Sequence, residues 1–173
     1  MQKNSDFESF LASKNYPVIT QKDRISIELI NFVRPTHFIT LSLLQGRRIF
    51  GENGIGTWVR GDDVIYDETH RSFVTALSKR ASSNSNWKRH KRILHSVCVI
   101  EGGADFERNH LHMMIALPGE IDELKAHQLI CETAENNSWV MTGEYGVDIQ
   151  RIRNCSDVAN YCTKHGFGRA TYT

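Results

Sequence analysis

Several stretches of the chain carry the apolar patterns that are typical of β-strands. From Thr36 to Leu44 the sequence T-H-F-I-T-L-S-L-L alternates polar and branched apolar residues, which predicts a strand. The apolar run Ile93–Ile100 predicts a buried strand, and the glycine pair after it predicts a turn. Further strands are predicted at His110–Leu117 and at Val147–Ile152. The second and third strands are expected to form a hairpin.

Apolar residues that recur every three or four positions predict helices between these strands. The helices span Ile25–Val33, Asp62 or Asp63 to about Arg80, Ile121–Asn136 and Val158–His165. The second is expected to bury one face, formed by Val64, Ile65, Phe73, Val74 and Leu77. The third has an acidic start and is typical of an exposed amphipathic helix, with Leu124, His127, Gln128 and Cys131 at helical spacing.

Two connections contain residues that disfavour regular structure. Residues 46–62 are rich in glycine and suit a long flexible loop or a hairpin. The polar segment Ser82–Asn86 predicts a turn ahead of the basic segment Trp87–Arg92.

The last predicted helix has suitable residues at both ends. Ser156 or Asp157 can act as its N-cap, and Gly166 is suited to end it.

The order of elements, β-α-β-β-α-β-α, predicts an α+β fold. We expect an antiparallel sheet of four to five strands with flanking helices, in the manner of a split βαβ, ferredoxin-like fold. The chain of 173 residues is near the usual size of one domain, so 1–173 is expected to form a single domain. Residues 1–35 are expected to form a helical extension at its N-terminal end.

Composition indicates the cellular location of the protein but does not identify its partner. Lys and Arg total 21 against 20 Asp and Glu, so only local clusters of charge can indicate a polyanionic ligand. The 4 cysteines form no C-x-x-C pair and are expected to be free thiols in a reducing cytosol. No window approaches the run of about 18 apolar residues that a membrane span needs. We expect a soluble cytoplasmic protein without a membrane partner.

Two histidines on the third strand suggest a metal site. His110 and His112 are two residues apart, so their side chains lie on the same face of a strand. Glu101 ends the preceding strand, where hairpin pairing could bring its carboxylate beside the two imidazoles. Glu107 is closer in sequence but is expected to lie in the turn. Two imidazoles and one carboxylate leave positions open for a phosphate, which favours Mg²⁺ or Mn²⁺ over structural Zn²⁺.

A tyrosine and a lysine follow on the last predicted helix. Tyr161 and Lys164 are three residues apart and therefore share a helix face. A phenol is a poor nucleophile at its free pKa, so a nearby cation or metal is needed to activate it. The lysine could also balance charge on a phosphate in the transition state.

Together, H-L-H at 110–112 and Y-C-T-K at 161–164 resemble motifs of the HUH endonucleases, in the single-tyrosine replication initiator branch. The strand T-H-F-I-T-L-S at 36–42 resembles the first motif of that family, so the resemblance spans most of the chain. It implies that a metal held by the two histidines and a carboxylate binds the scissile phosphate of single-stranded DNA. Tyr161 would then attack, giving a 5′-phosphotyrosyl bond that a later 3′-hydroxyl can reverse. Lys164 would help position Tyr161 or the phosphate.

The resemblance also implies partners and a biological setting. The expected substrate is single-stranded DNA at a replication origin of a plasmid, phage or virus. A helicase is expected to act in trans or from a further C-terminal domain. Two basic groups are candidates for phosphate contacts, although a solvated charged edge is an alternative. They are Lys88, Arg89, Lys91 and Arg92, and, in the glycine-rich segment, Arg47, Arg48 and Arg60. Trp58 or Trp87 could stack on a base, or be part of the core.

Other functions fit the sequence less well. A cupin-type metal oxygenase would need a glutamate soon after the histidines in an all-β barrel, and 113–117 supplies none. A histidine-triad nucleotide hydrolase would need a third alternate histidine where Met114 stands. The two alternatives that stay open are an HUH single-tyrosine transposase and a non-catalytic nucleic-acid-binding module of the same fold.

Overall fold

The computed structural model describes residues 31, 33–102, 108–143, 145–154 and 170–172. Its strands are β1 (His37–Ser42), β2 (Gly46–Phe50), β3 (Gly56–Arg60), β4 (Ser96–Glu101), β5 (His110–Ile115), β6 (Val147–Arg151) and β7 (Ala170–Tyr172). Its helices are α1 (Asp63–Ala81), α2 (Asn84–His90) and α3 (Glu123–Glu135). The α+β class with an antiparallel sheet is therefore as predicted.

Five strands form one sheet in the order β6-β1-β5-β4-β7, and β2 and β3 form a separate hairpin. Every pairing in the sheet is antiparallel. Strand β5 lies at the centre, between β1 and β4. The strand that carries both histidines of the H-L-H motif is thus held by hydrogen bonds along both of its edges.

One face of the sheet packs against α1 and α3 to form the core. This face carries alternate residues of the three central strands, as the period of two requires. The residues are Ile39, Leu41, Cys98, Ile100, Leu111, Met113 and Ile115, packed with Phe73, Val74 and Leu77 of α1 and Ala126 and Ile130 of α3. Burying each large apolar side chain contributes roughly 1.5–3 kcal/mol. The other face of the same strands carries buried apolar residues as well as the polar residues considered below.

Both long helices begin at an aspartate that caps free backbone N–H groups. The Asp62 carboxylate accepts a hydrogen bond of 2.9 Å from the backbone N–H of Ile65, and that of Asp122 accepts one of 2.8 Å from Lys125. Helix α1 extends to Ala81, close to the predicted end. No helix in the part of the chain that the structure describes is long and apolar enough to cross a membrane.

Of the face predicted for α1, Phe73, Val74 and Leu77 are buried. Val64 of α1 is 67 % exposed, whereas Tyr66 and His70 are buried. Leu124 of α3 is 83 % exposed, because it lies in the first turn and points away from the sheet. The buried face of α3 consists of Ala126, Leu129, Ile130, Thr133 and Ala134. That set also has helical spacing.

The segments between α1 and β4 also differ from the prediction. Residues 82–86 are not a simple turn, because Ser83 caps α2 by accepting a hydrogen bond of 3.3 Å from the Asn86 N–H. The basic segment is therefore helical up to Lys91, whose left-handed backbone (φ 43°) ends the helix. Strand β4 starts at Ser96 rather than at Ile93, which is 40 % exposed. Of the two possibilities for residues 46–62, the hairpin is the one observed.

Some predictions concern residues that the structure does not describe. The predicted helix at 158–165 lies outside the described residues, and so does the helix at 25–33 except for Asn31 and Val33, which are helical. Cys98 and Cys131 are free thiols, and Cys155 and Cys162 lie outside the described residues.

The buried His70 should make stability depend on pH. Its Nε2 lies 2.8 Å from the Ser96 Oγ, and burial lowers its pKa from 6.5 to about 4. The unfolded chain binds this proton near pH 6.5 and the folded chain only near pH 4, so stability rises with pH across that window. We expect a loss of about 3 kcal/mol in the free energy of unfolding as pH falls from 7 to 4.

Urea unfolding of the whole chain at several pH values measures this dependence. His70→Gln keeps a polar group for Ser96 but cannot titrate. The slope of the unfolding free energy against pH, between pH 4 and 6.5, should therefore fall by the equivalent of about one proton. His127→Gln, at an exposed position on α3, is the matched control for replacing a histidine by glutamine. Equal slopes in the wild type and His70→Gln would contradict a neutral buried His70.

Candidate metal and nucleic-acid site

The pairing of β4 with β5 brings Glu101 and both motif histidines onto one face of the sheet. Glu101 is directly opposite His110 in the register, so the two side chains project to the same side. His112 follows two residues later on the same face. The Oε2 of Glu101 lies 2.6 Å from the Nε2 of His112. The three residues proposed from sequence as metal ligands thus lie together at one end of the β4–β5 pair.

The His112 ring is held on three sides. Its Nδ1 lies 3.1 Å from the Oγ1 of Thr40, which is opposite it on β1. Its ring stacks in parallel on Phe38, with centroids 5.7 Å apart and an interplanar angle of 1°. The Glu101 carboxylate occupies the remaining nitrogen. Only 7 % of His112 is exposed. A ring fixed in this way is preorganised, since little rotational freedom remains to be lost on binding.

The two hydrogen bonds of His112 allow more than one tautomer. When Nε2 donates to the Glu101 carboxylate, neutral Nδ1 accepts the proton of the Thr40 hydroxyl. In the other tautomer, Nδ1 donates to Thr40 and Nε2 carries a free lone pair. The second tautomer is the one a metal ion requires, because a metal-bound imidazole donates its other N–H to a nearby acceptor. Thr40 can therefore support either state.

His110 is more accessible than His112. Its ring centroid lies 6.0 Å from that of His112, with an interplanar angle of 28°. Ser42 is opposite His110 on β1, and its hydroxyl donates to the carbonyl of Tyr145 over 2.8 Å. The row Ser42, His110 and Glu101 marks one end of the three central strands. A ligand could approach His110 from this end.

The donor atoms of this cluster do not surround a common point. Among the described residues, no group of three His, Cys, Asp or Glu side chains is arranged to hold a metal ion. Within the cluster, the Nε2 of His112 is hydrogen-bonded to the Glu101 carboxylate. Donor types and placement match a site of two imidazoles and a carboxylate, and Glu101 would have to release Nε2 for a cation to enter.

Sequence reasoning missed several neighbours of the cluster. Thr40 and Phe38 contact His112, and Asp148 of β6 lies opposite Thr40 on the same face. The Asp148 carboxylate accepts a hydrogen bond of 2.8 Å from Gln150. The alternation of Phe38 and Thr40 with core residues was a signal that these side chains share a face. Only the strand order reveals that this is the face of the histidines.

Three residues assigned roles from the motifs lie outside the described residues. They are Tyr161, Lys164 and the alternative carboxylate, Glu107. The described part of the site is therefore the sheet part, formed by β1, β4 and β5.

The two basic groups lie at different ends of the sheet. Lys88 and Arg89 are exposed on α2, and Lys91 and Arg92 follow in the exposed segment before β4. Since β4 rises about 3.3 Å per residue from Ser96 to Glu101, these four residues are connected to the end of the strand that lies roughly 17 Å from Glu101. The hairpin of β2 and β3 instead follows β1 after Ser42, at the end marked by His110.

Arg47 differs from the other basic residues of the hairpin. Its guanidinium donates a hydrogen bond of 2.6 Å to the carbonyl of Ser138 and lies 5.7 Å from the centroid of the Trp139 ring. These contacts tie the hairpin to the body of the protein. Arg48 and Arg60 are exposed.

Comparison of the chain with models of known protein families, with curated proteins and with solved structures gives no match.

Proposed function

We propose that the protein is a metal-dependent endonuclease that nicks and rejoins single-stranded DNA through a 5′-phosphotyrosyl intermediate. The resemblance of its motifs to the HUH endonucleases suggests that it starts rolling-circle replication at an origin. The observation that carries the proposal is the pairing of Glu101 with His110, which gathers an imidazole pair and a carboxylate on one face. The strand order supports it, because β6-β1-β5-β4 is the order of a split βαβ fold with the histidine strand at its centre.

The residues present fit a divalent cation in donor type. His110, His112 and Glu101 would hold it, and Mg²⁺ or Mn²⁺ would polarise a phosphodiester and neutralise its developing charge. Thr40 would accept from the Nδ1–H of His112 and so keep the Nε2 lone pair directed toward the site. Phe38 would fix the plane of the ring. A coordinating imidazole nitrogen must carry no proton, so acid would compete with the cation and lower its affinity.

Two further side chains would complete the reaction. In the proposed step the Tyr161 oxygen attacks phosphorus, its proton leaves to solvent or a base, and the DNA 3′-oxygen departs as a hydroxyl. The bond energy of the broken linkage is kept in the phosphotyrosine, so a 3′-hydroxyl can later reverse the step without ATP. Lys164 would balance charge on the phosphate.

The test is a cleavage assay with Mn²⁺ and labelled single-stranded oligonucleotides that tile the protein's own replicon. Denaturing gels should show a cleaved product and a covalent protein–DNA adduct, both of which need the metal. Tyr161→Phe should form no adduct, because the substituted ring lacks the attacking oxygen. Adduct that persists in Tyr161→Phe would remove the proposed nucleophile.

The same assay separates the remaining alternatives. Binding of the tiled strands without cleavage or adduct would replace the nuclease with a nucleic-acid-binding module. Preferential cleavage of hairpin ends by a dimer would favour a single-tyrosine transposase over an initiator.

A further inference from the structure

The hairpin of β2 and β3 displays aromatic and basic side chains on one face. Arg48 is directly opposite Trp58 in the register, Phe50 is opposite Gly56 and Arg60 is opposite Gly46. Residues opposite one another share a face, so Arg48, Phe50, Trp58 and Arg60 all project to the same side. We refer to these four residues as the hairpin platform. Trp58 is 68 % exposed and Phe50 is 66 % exposed.

Glycines shape this surface. A Cβ added at Gly46 would lie 2.8–2.9 Å from three contiguous atoms of the Trp58 indole, so the ring covers the backbone of the opposite strand. A Cβ at Gly56 would lie 2.6 Å from the Cδ of Arg48 and 2.8 Å from a ring carbon of Phe50. One side of each aromatic group is thus supported by the hairpin itself. The other side is open to a ligand.

The base of the hairpin is joined to the start of β5. The N–H of Leu43 donates to the carbonyl of Asn109 over 2.9 Å, and the N–H of Gly61 donates to that of Gln45 over 2.8 Å. Asn109 immediately precedes His110 and donates from its side chain to the Tyr66 hydroxyl over 3.1 Å. These hydrogen bonds place the base of the hairpin next to the start of β5.

The charge of the platform indicates the chemistry of its ligand. Neither Arg48 nor Arg60 forms an ion pair with any residue that the structure describes. Neither β2 nor β3 contains an acidic residue. Exposed aromatic rings beside guanidinium groups fit bases and phosphates of an unpaired strand, since every base has a face that can stack. An apolar protein surface would offer no negative charge to the guanidinium groups of Arg48 and Arg60.

We propose that the hairpin platform binds single-stranded DNA, with an unpaired base stacked on Trp58 and phosphates beside Arg48 and Arg60. The identification of the strand as DNA rests on the proposed nuclease function. The platform would hold the strand on one side of the histidine cluster and so set which phosphate reaches it. The basic group around α2 lies toward the other end of β4 and is not needed for this contact.

Fluorescence anisotropy of a labelled oligo-dT strand, titrated with the full chain in EDTA, measures binding without cleavage. Trp58→Ala should weaken binding by about tenfold or more, within the range that stacking of one base supplies. Quenching of tryptophan fluorescence by unlabelled oligo-dT should shrink in Trp58→Phe, which retains a stacking ring. Leu124→Ala, at an exposed apolar position on α3, should bind like the wild type.

Salt titration tests the phosphate contacts. Each of Arg48→Gln and Arg60→Gln should reduce the slope of log K against log salt by about 0.7, the value for one phosphate of a single strand. Lys79→Gln, which removes an exposed cation from α1, should leave the slope unchanged.

Several results would overturn the platform. One is unchanged affinity for oligo-dT in Trp58→Ala, and another is an equal loss for a duplex of the same length. A dimer that disappears in Trp58→Ala while oligo-dT affinity stays the same would make the surface an interface between copies of the chain. Binding that depends on Trp58 without any covalent adduct would retain the platform and reject the nuclease. An adduct that forms equally well in Trp58→Ala would retain the nuclease and reject the platform.

Discussion

His112→Ala is expected to lower the rate of the proposed metal-dependent DNA cleavage by about a thousandfold, equivalent to about 4 kcal/mol of transition-state stabilisation. The imidazole is the proposed ligand that the fold controls most closely, because Thr40, Glu101 and Phe38 each contact it. Alanine removes the nitrogen donor and leaves the Glu101 carboxylate without this partner. The measurement is single-turnover cleavage of an origin strand across a range of Mn²⁺ concentrations. Partial recovery of the cleavage rate at high Mn²⁺ would indicate that the substitution acts mainly by weakening metal binding.

His37→Gln provides a matched control on the same sheet. His37 is buried on β1, but its side chain lies on the opposite face, where Nε2 is 3.6 Å from the Glu123 carboxylate. Burial lowers the pKa of His37, so it is expected to be neutral near pH 7. Cleavage by His37→Gln should match the wild type, and circular dichroism should show that both variants fold. Wild-type cleavage by a folded His112→Ala protein would exclude His112 as a ligand.

How far the site could be anticipated depends on which contacts are local in sequence. His110 and His112 share a face because side chains alternate along any strand, and this needs no knowledge of the fold. The position of Glu101 opposite His110 required one more assumption, a hairpin in one register, and the structure has that register. Thr40 contacts His112 across 72 positions of sequence, and no periodicity in β1 indicates which strand lies beside it.

The difference between local and long-range information also applies to the helices. Helix α1 was predictable from its cap at Asp62 and its apolar period. Helix α2 was not, because its 7 residues are mostly polar and a cap such as Ser83 also fits a turn. On α3, the predicted spacing started from Leu124, which is exposed, whereas the buried face includes Ala126.

Glu101→Gln is expected to raise the Mn²⁺ concentration for half-maximal cleavage by about a hundredfold, as loss of a charged oxygen ligand from a weakly held cation should. Glutamine has nearly the same shape and can still accept a hydrogen bond from the Nε2 of His112. The fold should therefore be retained, and the change isolates the negative charge. Direct titration of Mn²⁺ by calorimetry, in the absence of DNA, measures the same loss without relying on activity.

Glu107→Gln is the matched variant, because Glu107 is the other carboxylate that the sequence offered as the third ligand. Glu107 lies outside the described residues, whereas the Glu101 carboxylate is 2.6 Å from a ring nitrogen of His112. A ligand that already lies beside one imidazole needs only a small displacement to meet a cation there. We therefore expect Glu107→Gln to bind Mn²⁺ like the wild type. A large loss in Glu107→Gln with none in Glu101→Gln would transfer the role to Glu107 and leave Glu101 as the hydrogen-bond partner that orients His112.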